Sequence, residues 1–374
     1  MCGAAYRTEL YSGKINLQEK KVEDSDMGCS KEVFGVLSDG RQVEAYILEN
    51  GKGTKGVFLN LGAIWNRMIV ADRNGEWKDV ILGFDSPEPY LTDDAFFGAI
   101  VGRNANRIGG GKFTLEGTTY QMAVNNGPNN LHSGTDFYRN RIWNASAKEN
   151  QVTFSLVSED GDQGFPGKAQ IQVTYTLGED DSVSIEYEMT ADKTTIANFT
   201  NHCYFNLAGQ DSRTILDQKV RILAESFTPT DAGSIPTGEI RKVEGTPMDL
   251  RQFKAIGQEI DSDYDQLRMA KGYDHNWVLD DYHKQVRLAA EAKAEETGIC
   301  LEVYTDLPGI QFYTGNYIGE GIQGKDGAKY GMRAGYCFET QYFPDAVNHE
   351  NFPSPVLQKG ETYHTVTSYR FSVK

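Results

Sequence analysis

Six short stretches of this chain crowd polar side chains against glycine, asparagine and aromatic residues. They are GRNANRIGGGKF (Gly102 to Phe113), NNLHSG (Asn129 to Gly134), NHCYFNLAG (Asn201 to Gly209), YDHNWVL (Tyr273 to Leu279), PGIQFYTGN (Pro308 to Asn316) and FETQYFPDAVNHENFPS (Phe338 to Ser354). Among their residues are His132, His202 and Glu339, and a histidine with a carboxylate is a minimal acid–base pair. Imidazolium gives a proton near neutral pH and a carboxylate takes one. Glu339 and His202 lie far apart in sequence, so only the fold can bring them together. Other chemistries fit less well. There is no GxSxG and no serine that sequence pairs with a histidine, which argues against nucleophilic catalysis. GGGKF leads into a strand rather than a helix, so its glycines serve a turn rather than a phosphate cradle. His132, His202 and Glu339 lack the HxH or HExxH spacing of a metal site, and no metal is expected. Taken by itself, His202 reads as a histidine satisfied in the core.

The elements that must position these stretches are strands. In IQVTYTL and VSIEYEM, β-branched and aromatic residues alternate with polar ones around the turn signal GEDDS, which predicts a hairpin. A second hairpin is predicted where Glu-Gly joins KFTL to TTYQM. Helical patterns are few: DLRQFKAIGQEI, with Asp249 at an N-cap position, and a turn or two in PEPYLTDD. With 39 glycines and 20 tyrosines in 374 residues, the pattern indicates an all-β domain of two large packed sheets with few short helices. Residues 1–33 read as a polar tail and residues 34–374 as one domain without repeats or linkers.

The net charge of −16 opposes nucleic acid and anionic lipid as partners and suits a neutral small molecule. No apolar run reaches the roughly 18 residues a membrane helix needs. The five cysteines are scattered without a CxxC pair, which points to reduced thiols rather than a disulfide framework. The N-terminal residues contain no apolar signal core. The expected location is therefore cytoplasmic, or periplasmic if a leader has been removed.

Taken together and in order, the six stretches resemble the aldose 1-epimerases, the galactose mutarotases, over about residues 34–374. The resemblance implies a galactose mutarotase-like supersandwich fold. It also implies interconversion of the α and β anomers of aldohexoses such as galactose and glucose, without a cofactor, by a monomer or homodimer. By the same resemblance Glu339 in FETQ is the base that takes the C1 hydroxyl proton, and His202 in NHCYF is the acid that protonates the ring oxygen. Asn106, Arg107, His132, Tyr204, Asp274 and Gln311 are implied to bind the sugar. Flanking aromatics at Phe338, Tyr342 and Phe343 would bury Glu339 in part and raise its pKa.

Arg103 and His275 read as structural, and Trp277, Phe312 and Tyr313 as core rather than sugar-stacking rings. Strand alternation should turn His202 and Tyr204 toward the sugar, and Cys203 and Phe205 toward the packing. Ser133, Asn104 and Cys203 depart from the commonest family pattern, which touches substrate preference rather than mechanism. Two other functions share such a scaffold. A sugar-binding module would need neither acid nor base. A hexose-6-phosphate 1-epimerase would want a basic cluster that the motifs beyond Arg107 lack.

Overall fold

The computed structural model describes residues 28–374. The polar tail expected over residues 1–33 therefore lies largely outside the described residues. The first strand, Cys29–Val36, begins ahead of the boundary expected near Phe34.

One layer is a nine-stranded antiparallel sheet. Its spatial order is Asn144–Lys148, Gln151–Ser158, Ala169–Leu177, Ser182–Ala191, Thr362–Val373, Ile299–Thr305, Arg287–Lys293, Lys219–Ile222 and Lys254–Ala255. The predicted hairpin forms its centre, pairing Val173 with Tyr187 and Tyr175 with Ile185. Period-two alternation buries Ile171, Val173, Tyr175, Val183, Ile185 and Tyr187 on one face.

Two smaller sheets lie against that face. Five strands between Cys29 and Asp79 form a meander. Six strands run in the order Tyr204–Phe205, Tyr336–Gln341, Gly309–Tyr313, Asp274–Val278, Ser226–Thr228 and Arg241–Lys242. A bridge between Ile81 and Phe205 joins the two. Aromatic side chains fill the space between the layers: Phe58 meets Tyr175 at 4.4 Å, and Tyr369 meets Phe205 at 5.2 Å and Trp65 at 5.7 Å. Burial of each such ring contributes about 1.5–3 kcal/mol, so the sandwich is fastened at its middle. The opposite face of the six-stranded sheet is left to be covered by loops, and there the polar stretches converge.

The Glu116-Gly117 turn closes the Lys112–Leu115 and Thr118–Gln121 hairpin with both residues at positive φ, 49° and 79°. That is the backbone a two-residue hairpin prefers, reached here with glutamate in the place of asparagine. PEPYLTDD forms the expected short helix, Glu88–Thr92. DLRQFKAIGQEI does not form one. Lys254 and Ala255 instead pair with Val220 and Lys219 at the edge of the large sheet, followed by a single 3₁₀ turn at Ile256–Gln258. Gly257 sits against the Leu216 backbone, where a Cβ would meet Leu216 oxygen at 3.1 Å. Asp249, expected as an N-cap, binds the Arg251 side chain and backbone. An open sheet edge thus outcompetes a modest helical pattern. The helix in this region is Asp265–Ala270, ended by Lys271 at φ 56°.

Candidate active site

Side-chain alternation along Tyr336–Gln341 sends Tyr336 and Phe338 into the core, and leaves Cys337, Glu339 and Gln341 on the loop-covered face. Register then builds rows across the sheet. Glu339 lies opposite Gln311, which lies opposite Asn276, while Tyr204, Cys337, Tyr313 and Asp274 form the next row. His202 sits just before the short Tyr204–Phe205 strand. Its N–H donates to the Ala99 carbonyl at 2.9 Å and its carbonyl accepts from Gly98 N–H at 3.0 Å. The backbone therefore fixes where the imidazole starts. As expected, His202 and Tyr204 line one cavity while Cys203 and Phe205 join the core.

That cavity measures about 500 Å³. His202 Nε2 and Glu339 Oε2 are 3.7 Å apart at its floor, with side chains only 7% and 3% exposed. Glu339 Oε2 has no hydrogen-bond partner within the protein, and the side chain is more deeply buried than its aromatic neighbours implied. Burial pushes the Glu339 carboxyl well above the ordinary carboxylate range, with the Asp274 charge adding and the Arg107 charge opposing. Burial likewise pushes the His202 imidazole down to about 3, and the Arg139 charge acts in the same direction. Each shift favours the uncharged form, so over a wide pH range the pair carries one proton between its two members.

The donor atoms of His202, Cys337 and Glu339 fall within 4.8 Å of one another, a spacing compatible with a small cation. The chemistry of the set does not favour one. The imidazole turns Nδ1 toward Cys337 Sγ at 3.5 Å and Nε2 toward Glu339, so its two neighbours sit off opposite ring nitrogens. A proton-transfer pair backed by a thiol describes the trio better.

Hydroxyl-binding groups surround the floor. His132 Nδ1 accepts the Asn106 N–H at 3.2 Å, which leaves its Nε2–H to donate. Burial pushes its pKa well down, keeping this donor neutral. Asn106 itself is at φ 59° and its Oδ1 accepts the Arg107 N–H, while Arg107 Nε is anchored on Asn126 Oδ1 at 3.0 Å. Asp274 faces the cavity with Oδ1 bound to Gln311 Nε2 at 2.7 Å, and burial raises its pKa. All the residues singled out from sequence line the cavity except Gln311, which stands behind Asp274 and also meets Gln341. Gln311 braces the Asp274 carboxylate from outside the cavity lining.

Trp277, Phe312 and Tyr313 pack in buried clusters as expected, and Tyr313 in addition lines the cavity, its hydroxyl accepting the Tyr317 N–H. Sequence reasoning also passed over Asp94, Phe96 and Tyr317 in the wall. The alternation in GIQFY signalled Tyr313, since it shares a face with Gln311. Nothing in DDAFFG marked which of its two phenylalanines faces the cavity.

The model of the family described as aldose 1-epimerase matches residues 44–370. Galactose mutarotase from Bos taurus is 43% identical, with 93% of this chain and 99% of that protein covered. Aldose 1-epimerase from Escherichia coli K12 is 37% identical, with 91% and 98% covered. The chain belongs to the aldose 1-epimerase family. Among solved structures, galactose 1-epimerase from Lactobacillus acidophilus superposes with a TM-score of 0.81 at 26% identity, covering 93% of this chain and 99% of that one. An aldose epimerase homologue from C. elegans gives 0.80 at 30% identity, covering 87% and 98%. The large two-sheet sandwich is therefore the fold of this family.

Ser133 is tied to the backbone of Asn104. Ser133 occupies a left-handed backbone (φ 61°) that glycine adopts without cost, and its hydroxyl accepts the Asn104 N–H and donates to the Asn104 carbonyl, both at 2.9 Å. Arg103 is structural in this epimerase. Its fully buried guanidinium donates to the Pro166 carbonyl at 2.9 Å and to Ser158 Oγ at 2.8 Å. His275 is buried against Phe227 and Trp277, away from the cavity. No helix among the described residues is long and apolar enough to cross a membrane.

Proposed function

We propose that this chain interconverts the α and β anomers of aldohexoses such as galactose and glucose, with His202 and Glu339 as the proton-transfer pair. The observation that carries the reading is a histidine and a carboxylate 3.7 Å apart, both buried, at the floor of a cavity walled by neutral and charged hydroxyl-binding groups. In the reacting arrangement the pair's single proton sits on His202. Glu339 takes the proton of the C1 hydroxyl while His202 gives its proton to the ring oxygen, and the C1–O5 bond breaks. The pair then holds neutral imidazole and protonated carboxyl, the uncharged form that burial favours. The two proton transfers of ring opening thus return the pair to its uncharged form. Rotation about C1–C2 and closure on the other face reverse both transfers, so no proton is gained or lost over a turnover.

His132 Nε2–H and Arg107 support the charge that develops on the ring oxygen, and Asp274 accepts from sugar hydroxyls, held at one angle by Gln311. Polarimetry tests the reading: freshly dissolved α-D-galactose or α-D-glucose should lose rotation faster with the protein than without it. His202→Asn and Glu339→Gln should each lower kcat by about 10² or more. No acceleration on any neutral aldose would remove the reading, and a near-normal variant would remove that residue from the pair.

A further inference from the structure

Phe96 takes no part in the proton transfers, yet it is held by more constraints than a packing residue needs. Its ring lies in the cavity wall, stacked on His202 at 5.9 Å with 30° between planes and tilted against His132 at 5.0 Å. The two imidazoles themselves meet edge-on at 5.3 Å. The backbone at Phe96 is left-handed, φ 61°, a conformation that penalises a bulky side chain.

Asp93 and Arg139 hold it there. Asp93 Oδ1 accepts the N–H groups of Ala95 at 2.6 Å and Phe96 at 3.0 Å, and its Oδ2 pairs with Arg139 at 3.4 Å. The Arg139 guanidinium lies over the Phe96 ring, 3.9 Å from its centroid, and Phe137 closes on the ring edge-on at 4.9 Å. Both members of the ion pair are 6% exposed. A buried ion pair is an expensive way to place a phenylalanine whose only duty is to fill space.

Groups carrying polar atoms also approach His202. Glu339 and Cys337 approach it from the Tyr336–Gln341 strand, Tyr204 and Tyr313 at 5.1 and 6.3 Å from the sheet rows, and His132 from its loop. Phe96 adds a hydrocarbon ring to this shell, and Arg139 is the charge behind it. We propose that Phe96 is a positioning residue for the acid: a ring, set by the Asp93–Arg139 clamp, that fixes the His202 and His132 imidazoles and keeps water from His202. Nε2 then meets only Glu339 and the sugar. The proposal rests on the reading of His202 as the acid.

Glycine adopts φ 61° freely, so Phe96→Gly removes the ring while relaxing the backbone. The test compares full-length wild type, Phe96→Gly and Phe96→Leu by polarimetry from pH 4.5 to 8, with thermal unfolding alongside. In Phe96→Gly, kcat should fall about tenfold to a hundredfold with KM changed less than about threefold. Its activity should also acquire an acid limb near the ordinary imidazole value, as water reaches His202, where wild type has none. Leucine restores apolar cover but not the flat ring, so it should recover the pH profile and only part of kcat. Should Phe96→Gly fail to fold, Phe96→Leu decides alone: a wild-type kcat overturns the proposal and a reduced one upholds it. A wild type that turns over, with a folded Phe96→Gly variant within twofold of its kcat and no new acid limb, overturns the proposal alone. A wild type without turnover overturns the functional reading and the proposal with it.

Discussion

Replacing Glu339 by glutamine should make the protein more stable as it makes it inactive, and the gain should grow with pH. The folded carboxyl is raised well above its ordinary value, chiefly by burial. In the unfolded chain it titrates near about 4.3. Above that pH the unfolded state releases a proton that the folded state keeps, so stability falls as pH rises, until the folded carboxyl itself ionises. Each pH unit in that interval costs about 1.4 kcal/mol, which bounds the cost at about 3.7 kcal/mol by pH 7. Glutamine has the same shape and no charge, so it escapes the cost. Whatever it loses or gains in hydrogen bonding at the orphaned Oε2 position is independent of pH and cancels in the comparison. Urea unfolding of wild type and Glu339→Gln at pH 5, 6 and 7.5, at one ionic strength, should therefore show the variant's advantage growing by about 1–3 kcal/mol over the series. Parallel stability curves, or an advantage that shrinks with pH, would refute the raised carboxyl and with it the single-proton account of the pair.

Three further outcomes are expected. Because His202 is held at about 3, the pair takes up no second proton between pH 6.5 and 5 and kcat/KM should not fall there, whereas a pair whose imidazole kept the ordinary value would lose about sixteenfold over that interval; initial rates corrected for buffer catalysis decide this. Gln311→Leu removes the donor 2.7 Å from Asp274, and loss of a hydrogen bond to a charged group costs about 1.5–3 kcal/mol. KM should therefore rise at least about tenfold with a smaller change in kcat, and a fall in kcat alone would place Gln311 elsewhere in the mechanism. Arg103→Met takes its donor from the Pro166 carbonyl and one of two donors from Ser158 Oγ and should lower unfolding stability by about 1–3 kcal/mol, with KM for the sugar unchanged in the folded protein.

What could be read from sequence and what could not divides along a physical line. Period-two alternation is local, so the separation of His202 and Tyr204 from Cys203 and Phe205 was legible, as was the central hairpin. The same rule, applied to GIQFY, places Tyr313 beside Gln311 and away from Phe312, so that Tyr313 is buried as expected and lines the cavity as well. Register is not local. That Glu339 lies opposite Gln311, and Gln311 opposite Asn276, follows from pairings between strands distant in sequence. Only those pairings place Gln311 as a support for Asp274. The expected helix after Asp249 failed for a related reason, since the large sheet offered Lys254 and Ala255 an edge that no local pattern reveals. Phe96 is the hardest case: its neighbour Phe97 is equally apolar, and a left-handed backbone stabilised by Asp93 decides which ring reaches the histidines. The residues that escape sequence reasoning are therefore those whose conformation is locally unfavourable and tertiarily enforced. Glu339, an orphaned carboxylate oxygen buried at a cost to folding, belongs with them energetically. A chain keeps such an arrangement where turnover depends on it.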